Sequence, residues 1–214
     1  MKILCVGYRE WSLKIYKNIK RRKTHKFYYH LELKGLEKKI KKIRPNIILF
    51  YGWSWKIKRA IYSNYKCFML HPSKLPKFRG GSPIQNQIIR GVEKSAVTIF
   101  KINEIIDGGD IYFQKQLLLN GTLESIFDRI IKIGIIGTNK ILYQKNLIKK
   151  PQNHQIATFY KRRKPKDSEI SGDELKKKSK KYIINKIRML VDPYPNAFIK
   201  YNGKKIIIKK IDIQ

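Results

Sequence analysis

His71 and Asp107 are two titratable residues set in loops built to hold them. His71 opens the run His71-Pro72-Ser73-Lys74-Leu75-Pro76-Lys77-Phe78-Arg79-Gly80-Gly81-Ser82-Pro83, with three prolines and two adjacent glycines. Asp107 follows in a second glycine loop, Ile105-Ile106-Asp107-Gly108-Gly109-Asp110. Proline fixes φ, and glycine reaches conformations closed to other residues, so such loops place side chains rather than merely join elements. An imidazole and a carboxylate on two shaped loops suit proton transfer. The plainer alternatives are a structural histidine and a turn aspartate; of the two acids, Asp110 is the more natural turn or capping residue.

The elements that must carry these loops alternate between strand and helix. Residues 2–6 form a short apolar run ending at Gly7, which reads as a buried strand, with a helix over 12–20. A basic loop covers 20–26, a second strand 27–30, and helical spacing appears at Leu33, Leu36, Ile40 and Ile43. Residues 46–52 are continuous and apolar, as in a parallel sheet covered on both faces. A helix over 56–62 and a strand over 66–70 then bring His71 to a strand's C-terminal end. A helix over 84–90 closes at Gly91, strands follow at 96–102 and 110–118, and a helix starts at Thr122 or Ser125 and runs to 146. This pattern predicts an open, mostly parallel, twisted α/β sheet of Rossmann-like type. Ligands in such sheets bind at the carboxyl ends of the strands, where Gly52, His71 and the loop before Asp107 all fall. A single glycine in the first turn leaves the dinucleotide fingerprint absent, so NAD is not supported.

Beyond Pro151 the chain changes character. Residues 158–165 are basic and extended, 173–191 read as one helix, and strands over 197–201 and 204–211 flank the hairpin signal Asn202-Gly203. The predicted division is a catalytic unit over 1–155 and a short extension of basic segment, helix and β-hairpin over 156–214.

Composition sets outer bounds. A chain of 214 residues with 42% hydrophobic and 12% aromatic residues suits a globular protein. No apolar run is long enough to span a bilayer, and the first apolar segment is too short for a signal peptide; a cytoplasmic location away from membranes is expected. Cys5 and Cys67 sit in strand-like stretches as buried thiols, and no metal-ligand spacing surrounds them, so no metal is expected. The net charge of +34 has two readings. One is an RNA or phosphate partner. The other, which the even spread of lysines favours, is the composition of an AT-rich genome.

The stretch from His71 to Asp107 resembles the signature of the folate-dependent formyltransferases, Asn-x-His-x-Ser-Leu-Leu-Pro-x-x-Arg-Gly followed by Asp-x-Gly. His71, Ser73, Leu75, Pro76, Arg79 and Gly80 stand in register. The resemblance implies a formyltransferase fold that takes N10-formyltetrahydrofolate as co-substrate. It gives His71 the oxyanion and the leaving-group proton, and Asp107 the orientation of His71 and the proton relay. It places the folate at Gly52, Trp53, Ser54, Trp55 and Lys56, and at Asn103, Glu104, Ile105 and Ile106 before Asp107. Trp53 and Trp55 could line that slot or pack in the core. Ser73 and Arg79 are loop organisers or substrate contacts, and Gly80, Gly81 and Gln85 complete the expected substrate side.

The family's asparagine is Met69 here, and a thioether cannot donate a hydrogen bond. Another donor such as Gln85, Asn86 or a backbone N–H, reliance on His71 alone, or a weakened enzyme would each account for it; the first two are preferred. For the acceptor, residues 162–170 and Pro193-Tyr194-Pro195 resemble the sugar N-formyltransferases. That implies a dTDP- or UDP-linked amino sugar of surface polysaccharide, handled by a homodimer. The alternatives are methionyl-tRNA, the one nucleic-acid partner considered, and a non-catalytic binding module.

Overall fold

The computed structural model describes residues 1–211, so positions 212–214 of the predicted extension lie outside the described residues. In chain order the elements are β1 (Lys2–Val6), α1 (Glu10–Asn18), β2 (Lys26–His30), α2 (Leu36–Ile43), β3 (Ile47–Tyr51), α3 (Arg59–Asn64), β4 (Lys66–His71), the two-residue β5 (Arg79–Gly80), α4 (Pro83–Ile88), β6 (Lys94–Lys101), β7 (Ile111–Leu118), α5 (Leu123–Tyr143), the two-residue β8 (Phe159–Tyr160), α6 (Gly172–Lys177), α7 (Lys180–Arg188), β9 (Ala197–Tyr201) and β10 (Lys204–Ile208). The main sheet runs β2-β1-β3-β4-β6-β7. Its first four strands are parallel, and β6 and β7 join antiparallel. This is the predicted open, mostly parallel sheet.

The apolar runs explain the layering. Side chains alternate across a strand, so a continuous apolar run feeds both faces of its sheet. Ile3 and Cys5 of β1 and Ile47, Leu49 and Tyr51 of β3 enter one core with α1 and α5. Leu4, Val6, Ile48 and Phe50 enter the other with α2 and α3. Helix α5 lies close on the sheet because Gly134 and Gly137 lack Cβ atoms: one at Gly134 would stand 2.6 Å from Ile15 Cδ1, and one at Gly137 2.5 Å from Phe113 Cδ1. Thr122 is its N-cap, accepting from the Ser125 N–H. Ile170, Ile187, Met189, Leu190 and Ala197 of the C-terminal segment are buried in the same core. Among the described residues no helix is long and apolar enough to cross a membrane.

Three expectations shift. Helix α2 starts at Leu36, leaving Leu33 exposed, because Gly35 takes φ +78 immediately before it. The helix expected at 56–62 forms at Arg59–Asn64. The single helix expected at 173–191 is two helices, since Lys178 is extended and Ser179 caps α7 by accepting from the Tyr182 N–H. The Asn202-Gly203 hairpin forms as read, with both residues at positive φ.

Candidate active site

β4 delivers His71 to its C-terminal end, paired with Thr98 of β6. The imidazole is buried. Nε2 lies 2.8 Å from the Phe78 carbonyl oxygen. A carbonyl only accepts, so Nε2 carries the proton and donates within its own loop. Nδ1 faces Asp107 Oδ2 at 3.6 Å, beyond hydrogen-bond length. The Asp107 carboxylate accepts instead from the Gly80 N–H at 2.8 Å. The carboxylate therefore ties the aspartate loop to the histidine loop and sits beside the ring.

Asp107 itself takes φ +51, a left-handed conformation that aspartate tolerates better than most side chains. Gly109 is required behind it, because a Cβ there would collide with the Lys101 carbonyl. Gln152 holds this loop, donating to the carbonyls of Asp107 at 2.9 Å and Gly109 at 2.7 Å. Arg79 in turn holds Gln152: its Nη2 donates to Gln152 Oε1 at 2.7 Å, and His154 Nδ1 stands 3.3 Å away. Arg79 is 1% exposed and is absent from the walls of the two cavities described next. Burial lowers its pKa from the ordinary value, while the nearby Asp107 charge opposes that shift. Ser73 is likewise buried and donates to the Lys77 carbonyl at 2.8 Å. Of the two alternatives for Ser73 and Arg79, this geometry is that of loop organisers.

Two adjoining cavities, of about 290 and 210 Å³, meet at His71, Met69, Gly80 and Arg162. The first brings together Trp53, Ser54, Trp55, Lys56, Gly80, Gly81, Asn103, Glu104, Ile105, Ile106 and Asp107 with His71. Trp53 is buried against Phe50 and Trp55 is partly exposed, so the pair both packs and lines the slot. The second cavity holds Gly52 and Gln85, with Arg9, Arg163, Trp11, Phe127 and Tyr194. Gly52, at φ +60, turns the chain out of β3.

Several wall and support residues were not legible as site residues: Tyr8, Arg9, Gln152 and Arg162. Tyr8 bonds Ser54. Burial works against its ionisation, but Ser54, Arg9 and Arg162 together hold the phenol below its ordinary value. The basic segment arrives because β8 pairs parallel with β5. The signal for that approach was the Gly80-Gly81 pair: Cβ atoms there would meet the Tyr160 carbonyl and the Arg162 backbone. Among the described residues no cluster of His, Cys, Asp or Glu is arranged to hold a metal ion.

A histidine and an aspartate at the carboxyl end of an open α/β sheet, beside two connected clefts, define a group-transfer site. The Formyl transferase family matches residues 21–137, and the chain belongs to that family. It is 31% identical over 179 residues to the methionyl-tRNA formyltransferase of Ehrlichia canis (strain Jake), covering 81% of this chain and 56% of that one. The chain thus spans about half the length of the curated relatives it matches. A solved structure of a methionyl-tRNA formyltransferase from Clostridium thermocellum has a TM-score of 0.89 and 35% identity, over 100% of this chain and 94% of that one. A sugar N-formyltransferase from Shewanella sp. aligns over 98% and 97% with a TM-score of 0.77 but 17% identity, which shows the fold alone.

The sugar-acceptor expectation is corrected by these identities. It rested on residues 162–170 and on Pro193-Tyr194-Pro195. The segment clamps the histidine loop: Arg79 and Gly81 N–H groups donate to the Thr158 and Tyr160 carbonyls, and the Arg163 N–H to Ser82 Oγ. The backbone of this stretch is thus placed by the histidine loop, so its likeness to the sugar enzymes does not by itself identify the acceptor.

Proposed function

We propose that this chain transfers the formyl group of N10-formyltetrahydrofolate to the amine of methionyl-tRNA. The observation that carries the reading is His71 at the junction of two cavities, with Asp107 beside it on the wall of the first. The first cavity, walled by Trp53, Trp55, Ile105 and Ile106, suits a flat heterocycle, with the backbone of 103–106 at hand for its polar edge. The second, with Arg9, Arg162 and Arg163, suits an acceptor that carries phosphate. The curated relatives' names support the choice of acceptor.

The chemistry asks for a neutral amine, donors for the oxyanion of the tetrahedral intermediate, and a proton moved from the attacking to the leaving nitrogen. His71 meets the formyl oxygen or the leaving nitrogen by exchanging its bond to the Phe78 carbonyl for one to substrate. Asp107 stabilises the imidazolium that forms when the ring takes the proton.

A turnover assay with N10-formyltetrahydrofolate tests this reading, with methionyl-tRNA and free methionine as acceptors. Formyl-methionyl-tRNA is the expected product. Folate binding without any formylated product would sink the catalytic assignment in favour of a binding module.

A further inference from the structure

The point where the two cavities meet lacks a second side-chain donor at position 69, since Met69 lines both walls. An oxyanion formed there requires donors that are in place before reaction. The neighbouring donors have other partners. Asn86 Nδ2 donates to the Gly81 carbonyl at 2.8 Å. The Gly80 N–H is held by Asp107 and the Gly81 N–H by the Tyr160 carbonyl. The Ser54 hydroxyl is bonded to Tyr8. His71 Nε2 donates to Phe78.

Gln85 differs from all of these. It is 5% exposed, sits in the first turn of α4, and lines the second cavity together with His71, Met69 and Pro72. Its Nε2 makes no hydrogen bond of regular geometry, and the Tyr194 hydroxyl is the group it leans toward. Buried amide groups are nearly always paired, and leaving one unpaired costs about 1–3 kcal/mol, so an orphan on a cavity wall marks a group held ready for a ligand. Arg163 Nε, on the same cavity wall, is a second buried group without a partner.

We propose that the Gln85 side-chain amide is the second oxyanion donor at the transfer point, taking the place that Met69 cannot fill. The inference rests on the formyl-transfer reading of this site. On approach of the amine to the formyl carbon, the carbonyl π pair moves onto oxygen, and Gln85 Nε2–H and His71 Nε2–H hydrogen-bond that oxygen. Collapse of the intermediate returns the pair to the carbonyl and breaks the bond to the folate nitrogen; the attacking amine's proton passes by way of Asp107 to His71 Nδ1, and Nε2 gives its own proton to the leaving nitrogen.

The test is Gln85→Leu, alone and with Met69→Asn. Replacing an unpaired buried amide by an apolar group of similar shape leaves Tm unchanged or raises it, whereas a structural glutamine would lower it. Gln85→Leu is expected to reduce kcat by about 10²-fold or more, the cost of one oxyanion donor, with acceptor KM changed less than threefold. Met69→Asn is expected to restore part of the loss. A second readout needs no acceptor. The ratio of affinities for a stable formylated folate analogue and its unformylated parent should fall in Gln85→Leu. An unchanged kcat, or a raised acceptor KM with intact formyl discrimination, would overturn the proposal and make Gln85 an acceptor contact. If wild type forms no product yet loses formyl discrimination on this substitution, the Gln85 contact to the formyl oxygen stands and the formyl-transfer reading fails.

Discussion

At the scale of single residues, the site depends on two contacts that differ in kind. His71 is held by a hydrogen bond to its own loop, and Asp107 reaches it only through space at 3.6 Å. Asparagine replaces either side chain with little change in shape and tolerates the left-handed backbone of position 107. His71→Asn and Asp107→Asn are therefore expected to keep the wild-type circular dichroism and to lose at least about 10²-fold in kcat, as acid–base catalysis is removed. A variant of either kind with near-normal turnover would remove that residue from the mechanism. Both residues were legible in the sequence because the signal is local: prolines and glycines follow His71, and two glycines follow Asp107. Arg79 stood in an equally local motif, yet its two possible roles could not be separated. Its partners, Gln152 and His154, lie in a stretch without periodicity and far along the chain. Only the fold shows that this guanidinium braces the Asp107 loop.

At the scale of elements, strands were easier to read than helix boundaries. The five residues of β3 are buried throughout, so their apolar run was unambiguous. The break between α6 and α7 was hidden by apolar spacing that continues across it, although Ser171 and Ser179 carry the cap signals. Glu174 joins these two helices. It accepts from Lys186 at 2.6 Å and from the Tyr182 hydroxyl at 2.8 Å, and it completes the capping box with Ser171. Burial alone would raise its pKa; the bonds from Lys186 and Tyr182 outweigh that and hold the carboxyl below its ordinary value of 4.5. A depressed carboxyl stabilises the fold fully above its unfolded value and loses that contribution as pH falls through the lower folded value. Glu174→Gln leaves the buried Lys186 ammonium without its counter-ion. The expected cost near neutral pH is on the order of 2–3 kcal/mol, less than for a fully buried pair because Glu174 keeps some solvent contact. Denaturant melts from pH 7 down to pH 3 should show a shallower loss of stability in the variant. Parallel curves for the two proteins would show that the pair contributes nothing.

At the scale of the whole molecule, the proposed acceptor offers the charge of +34 a use that composition alone did not assign. Lysines spread along the sequence gave no footprint, and their even distribution favoured the genomic explanation. The fold gathers a subset: Arg9 and the adjacent pair Arg162 and Arg163 come from two distant parts of the chain to one cavity wall. Arg162 is exposed and lines both cavities, so its guanidinium stands where an acceptor's phosphate would pass the transfer point. Binding through phosphates releases counterions, and log K then falls with log salt by about 0.7–0.9 for each phosphate neutralised. Methionyl-tRNA affinity should therefore weaken steeply between low and moderate salt, while folate affinity, set by an aromatic and backbone-lined slot, should change little. Arg162→Ala should weaken tRNA binding and lower the magnitude of the salt slope by about 1, as expected for the loss of one phosphate contact. Filter binding or fluorescence titration across a salt series measures both quantities. A slope unchanged in the variant would place the phosphate track elsewhere on the surface. A slope near zero in the wild type would return the +34 charge to genome composition and leave the second cavity to a neutral acceptor.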